Sequence, residues 1–215
     1  MLKRDFSYLL VLIAVFFLVS LACGQNKTES QNAQLSANES IRPRSVLIVI
    51  APKEFRDEEF KIPYDYLKNL GHKVLVASTD TTIATAMLDM MVKPDMKIDN
   101  VDTLAYDAMI LVGGTGSVIY WDNQAVHQLV KYFARPSRLL AAICLAPVTL
   151  ARAGVLKNKS ATVFKDRATL DELKKGGAKY IEKDVVISGN IITGSGPQAS
   201  EKFAKAIARA LASNQ

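Results

Sequence analysis

The sequence predicts an α/β fold, a three-layer sandwich with helices on both faces of a mostly parallel central sheet. Three observations carry that expectation. Apolar runs at 46–50, 108–112 and 139–143 are continuous, not alternating, as in strands covered on both faces. Segments with helical spacing fall between the strand-like runs, the alternation expected of βα units. The residues that punctuate three strand ends are unusual: Pro52 to Glu59, Gly113-Gly114 and Cys144. In open parallel sheets, ligand sites lie at the carboxyl ends of the strands, so these three should converge on one crevice.

In chain order, Lys3 and Arg4 precede an apolar run from Tyr8 to Ala22, broken only by Ser20. The run is shorter than the roughly 20 residues of a spanning helix. It fits the apolar core of a signal peptide over 1–22. A small residue, Ala22, stands directly before Cys23, which resembles a bacterial lipoprotein processing site. On that reading Cys23 is the lipid attachment point and the protein sits in the bacterial cell envelope, held to a membrane; a cleaved secretory signal and an uncleaved anchor are the alternatives. Ser20 departs from the usual pattern, which has Leu at that place. Residues 23–44 are polar and rich in Gln, Asn and Ser, the composition of a disordered tether. The globular domain is expected over 45–215.

Within it, 45–50 is the first strand. Residues 56–70 show helical apolar spacing, with Pro63 inside. A mid-helix proline removes a hydrogen bond and clashes with the preceding turn, so a short first piece ending near Ile62 and a new start at Pro63 are expected. Residues 73–78 form the second strand. The stretch 80–100 has no clear period and should hold short strands; Met87, Met90, Met91 and Met96 are read there as fillers of irregular core gaps. Residues 108–114 form a buried strand ending in glycines. An aromatic pair, Tyr120-Trp121, precedes a helix capped by Asp122 or Asn123 and running to about Ala134.

Residues 139–143 run straight into Cys144, and Pro147 suits the first turn of a helix that Gly154 stops. Cys144 then sits on a tight strand-to-helix turn, the arrangement of a nucleophile elbow. Position alone leaves a small buried apolar cysteine as an equal alternative. Beyond it come a short strand at 161–164, a charged helix at 169–175 and a hairpin at 185–193 turning on Gly189-Asn190. A final amphipathic helix spans 199–212.

Composition sets limits. The chain has 215 residues, 49% apolar and 22% charged, with a net charge of +6. Its cations are interleaved with acids, as in Lys53-Glu54-Phe55-Arg56-Asp57-Glu58-Glu59, so no clustered basic face points to nucleic acid. If Cys23 carries lipid, Cys144 has no disulfide partner, and a lone free thiol outside the cytosol favours a functional role.

Four segments in order, Phe55 to Glu59, Gly113-Gly114, Ala142-Ile143-Cys144-Leu145-Ala146-Pro147 and Thr193 to Pro197, resemble the DJ-one/PfpI (ThiJ/PfpI) family across about 45–211. The resemblance implies a flavodoxin-like fold, related to class I glutamine amidotransferases, and a homo-oligomer. It matches Glu59 to the carboxylate beside the elbow cysteine, and Cys144 and Glu59 to the catalytic pair. It matches Gly113-Gly114 to an oxyanion site, with the Leu145 N–H as a further donor. The helix N-terminus is expected to lower the thiol pKa, and burial to raise that of Glu59 so that it can donate a hydrogen bond to the thiolate.

One departure narrows the chemistry. Peptidase members carry His directly after the cysteine, and here Leu145 stands there. His72 and His127 are read as structural, His127 on a surface helix, so no Cys/His dyad is visible and proteolysis of a peptide substrate is disfavoured. The leading expectation is an enzyme using Cys144 on small reactive carbonyls, glyoxalase-like or deglycase-like, with no metal and no organic cofactor. The alternative is a redox-sensing or chaperone-like stress protein in which Cys144 is oxidised.

Overall fold

The computed structural model describes residues 42–213. The expected signal peptide, tether and lipid attachment at Cys23 lie outside the described residues.

A seven-stranded sheet forms the centre. Its strands are β1 (Ser45–Val49), β3 (Lys73–Ser78), β6 (Met96–Lys97), β7 (Ala108–Leu111), β8 (Leu139–Ile143), β11 (Val185–Ser188) and β12 (Ile191–Gly194). Their spatial order is β11-β12-β8-β7-β1-β3-β6. Every neighbouring pair is parallel except β11 with β12. All residues of β7, β8 and β12 are buried, as are Val46 to Val49 of β1. Successive side chains of a strand point to opposite faces, so burial at every position means that both faces are covered. The covering helices are α1 (Asp57–Asn69), α2 (Gln124–Phe133), α3 (Pro147–Arg152), α4 (Arg167–Lys175) and α5 (Ser200–Ser213). Helix α1 packs on α5, α2 on α3, and α3 on α4.

β1 pairs with β3 on one side and β7 on the other. The chain therefore reverses its direction of travel across the sheet at β1. A crevice opens at such a switch point, beyond the carboxyl ends of the strands. A second sheet overhangs that end: β2 (Lys53–Phe55), β4 (Ala84–Ala86) and β5 (Met91–Val92), in the order β2-β4-β5. A third, small sheet joins β9 (Ser160–Ala161) to β10 (Lys179–Tyr180).

Several expectations need correction. Helix α1 does not break at Pro63; it runs unbroken through it. Pro63 is buried with Phe60 and Leu67 on the inward face, and this packing offsets the hydrogen bond that the ring removes. The expected strand at 161–164 shortens to Ser160–Ala161, because the chain leaves the small sheet to reach the elbow, where the Phe164 N–H donates to the Cys144 carbonyl at 2.9 Å. The strand at 108–114 ends at Leu111, before its glycines. Of the four methionines, Met90 and Met96 pack against the core, whereas Met87 and Met91 are exposed. His127 is buried, not on a surface face.

Other expectations match the structure. Asn123 caps α2, its Oδ1 accepting from the Val126 N–H at 3.1 Å. The hairpin closes with Ser188 opposite Ile191. Gly189 supplies the positive φ of +63° that the two-residue turn requires.

Candidate active site

Cys144 follows β8 directly and precedes the first residue of α3 by three positions. Its φ is +63°, a left-handed conformation that costs a non-glycine residue about 1–2 kcal/mol. The elbow is held by its neighbours: the Cys144 N–H donates to the Gly194 carbonyl at 2.9 Å, and the Ala146 N–H to the Ile143 carbonyl at 3.1 Å. The side chain is almost fully buried, at 7% exposure, and the thiol is free.

Glu59 arrives from the first turn of α1. Three acids stand in a row there, and the phase of the helix gives each a different fate. Asp57 turns to the overhanging sheet, where its carboxylate accepts from the Leu88 and Met90 N–H groups at 2.8 and 3.2 Å. Glu58 turns outward and is held by the Arg56 guanidinium at 2.7 and 2.9 Å. Glu59 turns inward and has no exposed surface. Its Oε2 accepts from the Gly113 N–H at 3.1 Å. Its Oε1 is buried with no hydrogen-bond partner, and the Cys144 side chain lies beside the carboxyl, the Cys144 Cβ and the Glu59 Oε2 each 2.6 Å from where a Cβ on Gly113 would sit.

The two glycines after β7 fit between these groups for different reasons. A Cβ on Gly113 would lie 2.6 Å from the Cys144 Cβ, the Glu59 Oε2 and the Ile143 carbonyl oxygen. A side chain there would wedge the pair apart. Gly114 has a φ of +89°, and a Cβ on it would lie 2.3 Å from the Glu54 carbonyl oxygen. That close approach seats the strand β2 loop on the glycines, where the Arg56 N–H donates to the Gly113 carbonyl at 3.2 Å. The start of α1, and with it Glu59, is thereby fixed against β7.

Backbone N–H groups of Gly114 and Leu145 act to lower the Cys144 thiol pKa. The Gly113 N–H does not join them, being taken by Glu59. Gly113 is thus committed to Glu59 and not free to act as the oxyanion donor that the resemblance matches to it.

Burial dominates the electrostatics. It pushes the Glu59 carboxyl up to about 7, against smaller opposing effects of the Cys144 hydrogen bond and the Gly113 N–H. It also pushes the Cys144 thiol up to about 12, and the charge of Glu59 pushes the same way. The expected lowering by the helix N-terminus does not prevail. Helix α3 has only six residues, and the two N–H groups do not outweigh desolvation and a neighbouring carboxylate. Two buried groups in contact share one negative charge. The thiolate is accessible when its proton has moved to Glu59, which removes the like charge beside the sulfur.

No imidazole bonds to the thiol. The His72 Nδ1 accepts from the Arg44 N–H at 3.1 Å, and the His127 Nε2 lies 2.8 Å from the Trp121 carbonyl oxygen. Among the described residues, no group of three or more His, Cys, Asp or Glu is arranged to hold a metal ion. A cleft of about 280 Å³ opens beside the elbow backbone, lined among others by Phe164, Lys165, Tyr180, Lys183 and Ser195. Gly194 was not singled out from the sequence, yet its carbonyl anchors the elbow, and a Cβ on it would lie 2.9 Å from Ile143. Its place in the Thr193 to Pro197 motif was the available signal.

The family model described as the DJ-1/PfpI family matches residues 44–210. An uncharacterised protein of Methanocaldococcus jannaschii is 39% identical over 207 residues, covering 96% of this chain and 98% of that one. A protein named deglycase PfpI, from Pyrococcus furiosus, is 29% identical over 70% of this chain and 90% of its own length. A Caenorhabditis elegans protein named as a glutathione-independent glyoxalase is 27% identical over 78% of this chain and 89% of its own length. Among solved structures, a ThiJ/PfpI domain protein from Brachyspira murdochii superposes with a TM-score of 0.76 at 31% identity, covering 80% of this chain and 98% of that one. The sheet order, the elbow and the length of these matches lead to one conclusion: the chain belongs to the DJ-1/PfpI family.

Proposed function

We propose that this protein is a cysteine-dependent enzyme acting on small reactive carbonyls, of the glyoxalase or deglycase type. The observation that carries this reading is the buried juxtaposition of Glu59 and Cys144, which meet at the position a Cβ on Gly113 would occupy. The names of the relatives point the same way.

For a 2-oxoaldehyde the steps balance without an outside oxidant. Glu59 takes the thiol proton, and the Cys144 sulfur adds to the aldehyde carbon. The carbonyl π pair becomes an alkoxide, which receives the proton back from Glu59. Glu59 then removes the proton from the former aldehyde carbon, and a proton is delivered to the neighbouring ketone carbon through an enediol. The aldehyde carbon is oxidised to a thioester while the ketone carbon is reduced to an alcohol. Water cleaves the thioester, releasing a 2-hydroxy acid and restoring the thiol. The N–H groups of Gly114 and Leu145 stabilise negative charge that develops beside the sulfur.

Methylglyoxal turnover tests this. Cys144→Ser is expected to abolish it, and Glu59→Gln to lower kcat by about 10²-fold or more, the usual worth of a general acid–base. No turnover by the parent protein refutes the reading for that substrate class.

The lack of an imidazole at the thiol favours a second reading, redox sensing, in which the same N–H groups hold an oxidised sulfur. Mild peroxide followed by mass spectrometry tests it: Cys144 remaining a thiol while exposed Met91 oxidises counts against a sensor. We further propose that Cys23 carries lipid. Palmitate labelling should disappear in Cys23→Ala, and unchanged labelling overturns that assignment.

A further inference from the structure

The aromatic pair Tyr120-Trp121 has no part in the chemistry above, yet one of its members touches the elbow. The Trp121 indole Nε1–H donates to the Leu145 carbonyl at 3.2 Å. Among the described residues this is the only side-chain hydrogen bond to the backbone of the elbow, Cys144 to Ala146; the others come from main-chain groups. Trp121 is itself clamped. Its carbonyl oxygen lies 2.8 Å from the His127 Nε2, and because a carbonyl can only accept, that nitrogen carries the proton. The Arg152 guanidinium lies 5.0 Å over the indole ring, a cation–π distance. Arg152 is fixed in turn by Glu172 at 2.7 Å and Asp122 at 2.5 Å.

We propose that Trp121 is a positioning residue for the nucleophile, holding Leu145 and with it the strained turn that presents the Cys144 sulfur. The physical need is visible in the backbone. Cys144 occupies the left-handed region, and a strained residue keeps its conformation only where its surroundings over-determine it. The bond from Trp121 fixes the Leu145 carbonyl, and Leu145 directly follows Cys144 in its left-handed conformation. If the carbonyl is released, Leu145 can rotate and the turn that holds Cys144 in the left-handed region loosens. The chain His127–Trp121–Leu145–Cys144 gives the second histidine a task without placing an imidazole at the thiol. The inference rests on Cys144 being the reacting group, but not on the identity of its substrate.

The test is the pH profile of Cys144 alkylation by iodoacetamide in the full chain, which reports the thiolate whatever the physiological reaction. Trp121→Phe keeps a ring for Arg152 to stack on and deletes only the N–H. The expected result is an alkylation rate at neutral pH lower by about threefold to tenfold, with the profile displaced to higher pH. That is less than the 10²–10³-fold of deleting an oxyanion donor outright. His127→Leu should move the profile the same way by less, and His127→Gln, which retains an N–H donor, should restore it. Asn190→Ala is the control. It removes a side chain that bridges the Phe133, Arg135 and Arg138 carbonyls away from the elbow, and it should leave the profile in place. An unchanged profile in Trp121→Phe overturns the proposal, and so does an equal displacement in Asn190→Ala, which would mean general loosening. If Trp121→Phe does not fold, the His127 pair decides by the same criterion. Methylglyoxal inactivity of the parent protein would leave this result standing, so the two readings fail separately.

Discussion

At the scale of single residues, the pair Glu59 and Cys144 makes pH dependence the sharpest test. An unfolded carboxyl titrates near 4.5, and the folded one is pushed up to about 7. Between those values the folded state holds a proton that the unfolded chain has lost. Stability therefore falls as pH rises through that window, by about 3 kcal/mol in all. Urea midpoints between pH 4.5 and 8 should show the decline, and Glu59→Gln should flatten it. A parent protein with no decline would mean that Glu59 is not desolvated. Turnover should rise through the same window as the pair loses its first proton and Glu59 becomes able to accept the thiol's. Gly113 offers an independent check. Its φ is not in the left-handed region, so Gly113→Ala needs no unusual dihedral and acts by crowding Glu59, Cys144 and the Ile143 carbonyl. The expected cost is about 1–3 kcal/mol of stability, together with loss of Cys144 alkylation near neutral pH. Retained alkylation at the parent rate would show that the contact tolerates a wedge.

At the scale of elements, the first turn of α1 does two jobs. It delivers Glu59 to the crevice, and through Asp57 it ties down the overhanging strands β4 and β5. Asp57→Ala leaves the Leu88 and Met90 N–H groups without a charged acceptor, which should cost about 1.5–3 kcal/mol. The readout is hydrogen exchange. Faster exchange should be confined to residues 84–92, and uniform acceleration over the sheet would contradict the assignment. The same turn shows where sequence reading stops. Asp57, Glu58 and Glu59 are chemically near-identical neighbours; the resemblance singles out Glu59, and the helical phase shows why, turning it toward Gly113 while Asp57 faces the overhanging sheet. The unbroken α1 makes the same point. Local propensity argues for a break at Pro63, and the inward packing of Phe60, Pro63 and Leu67 overrides it.

For the whole molecule, the parallel register sets the distance between entry and site. Ser45 begins β1 and Leu139 begins β8 at one end of the sheet, while Val49 and Ile143 finish at the other. The described chain enters β1 at the end of the sheet opposite Cys144. Removal of residues 1–41 should leave both the thermal midpoint and methylglyoxal turnover within experimental scatter of the full chain. A large loss in either would show that the preceding segment completes the domain. Among the described residues no helix is long and apolar enough to cross a membrane, so the proposed membrane attachment rests on the segment around Cys23.

What the amino-acid order determined by itself is the layered α/β class, the strands β1, β7 and β8, the elbow at Cys144 and the convergence of three strand ends. Continuous apolar runs, Gly-Gly and Cys-x-x-Pro are local patterns whose meaning survives without knowing what lies across from them. The tertiary structure alone decided that Gly113 spends its N–H on Glu59 and that burial pushes the thiol up instead of down. It also decided that Trp121 reaches the elbow across 24 residues of chain. Each of these depends on desolvation and contact between segments distant in sequence. A charge is shifted by what surrounds it in space, and no local pattern states that.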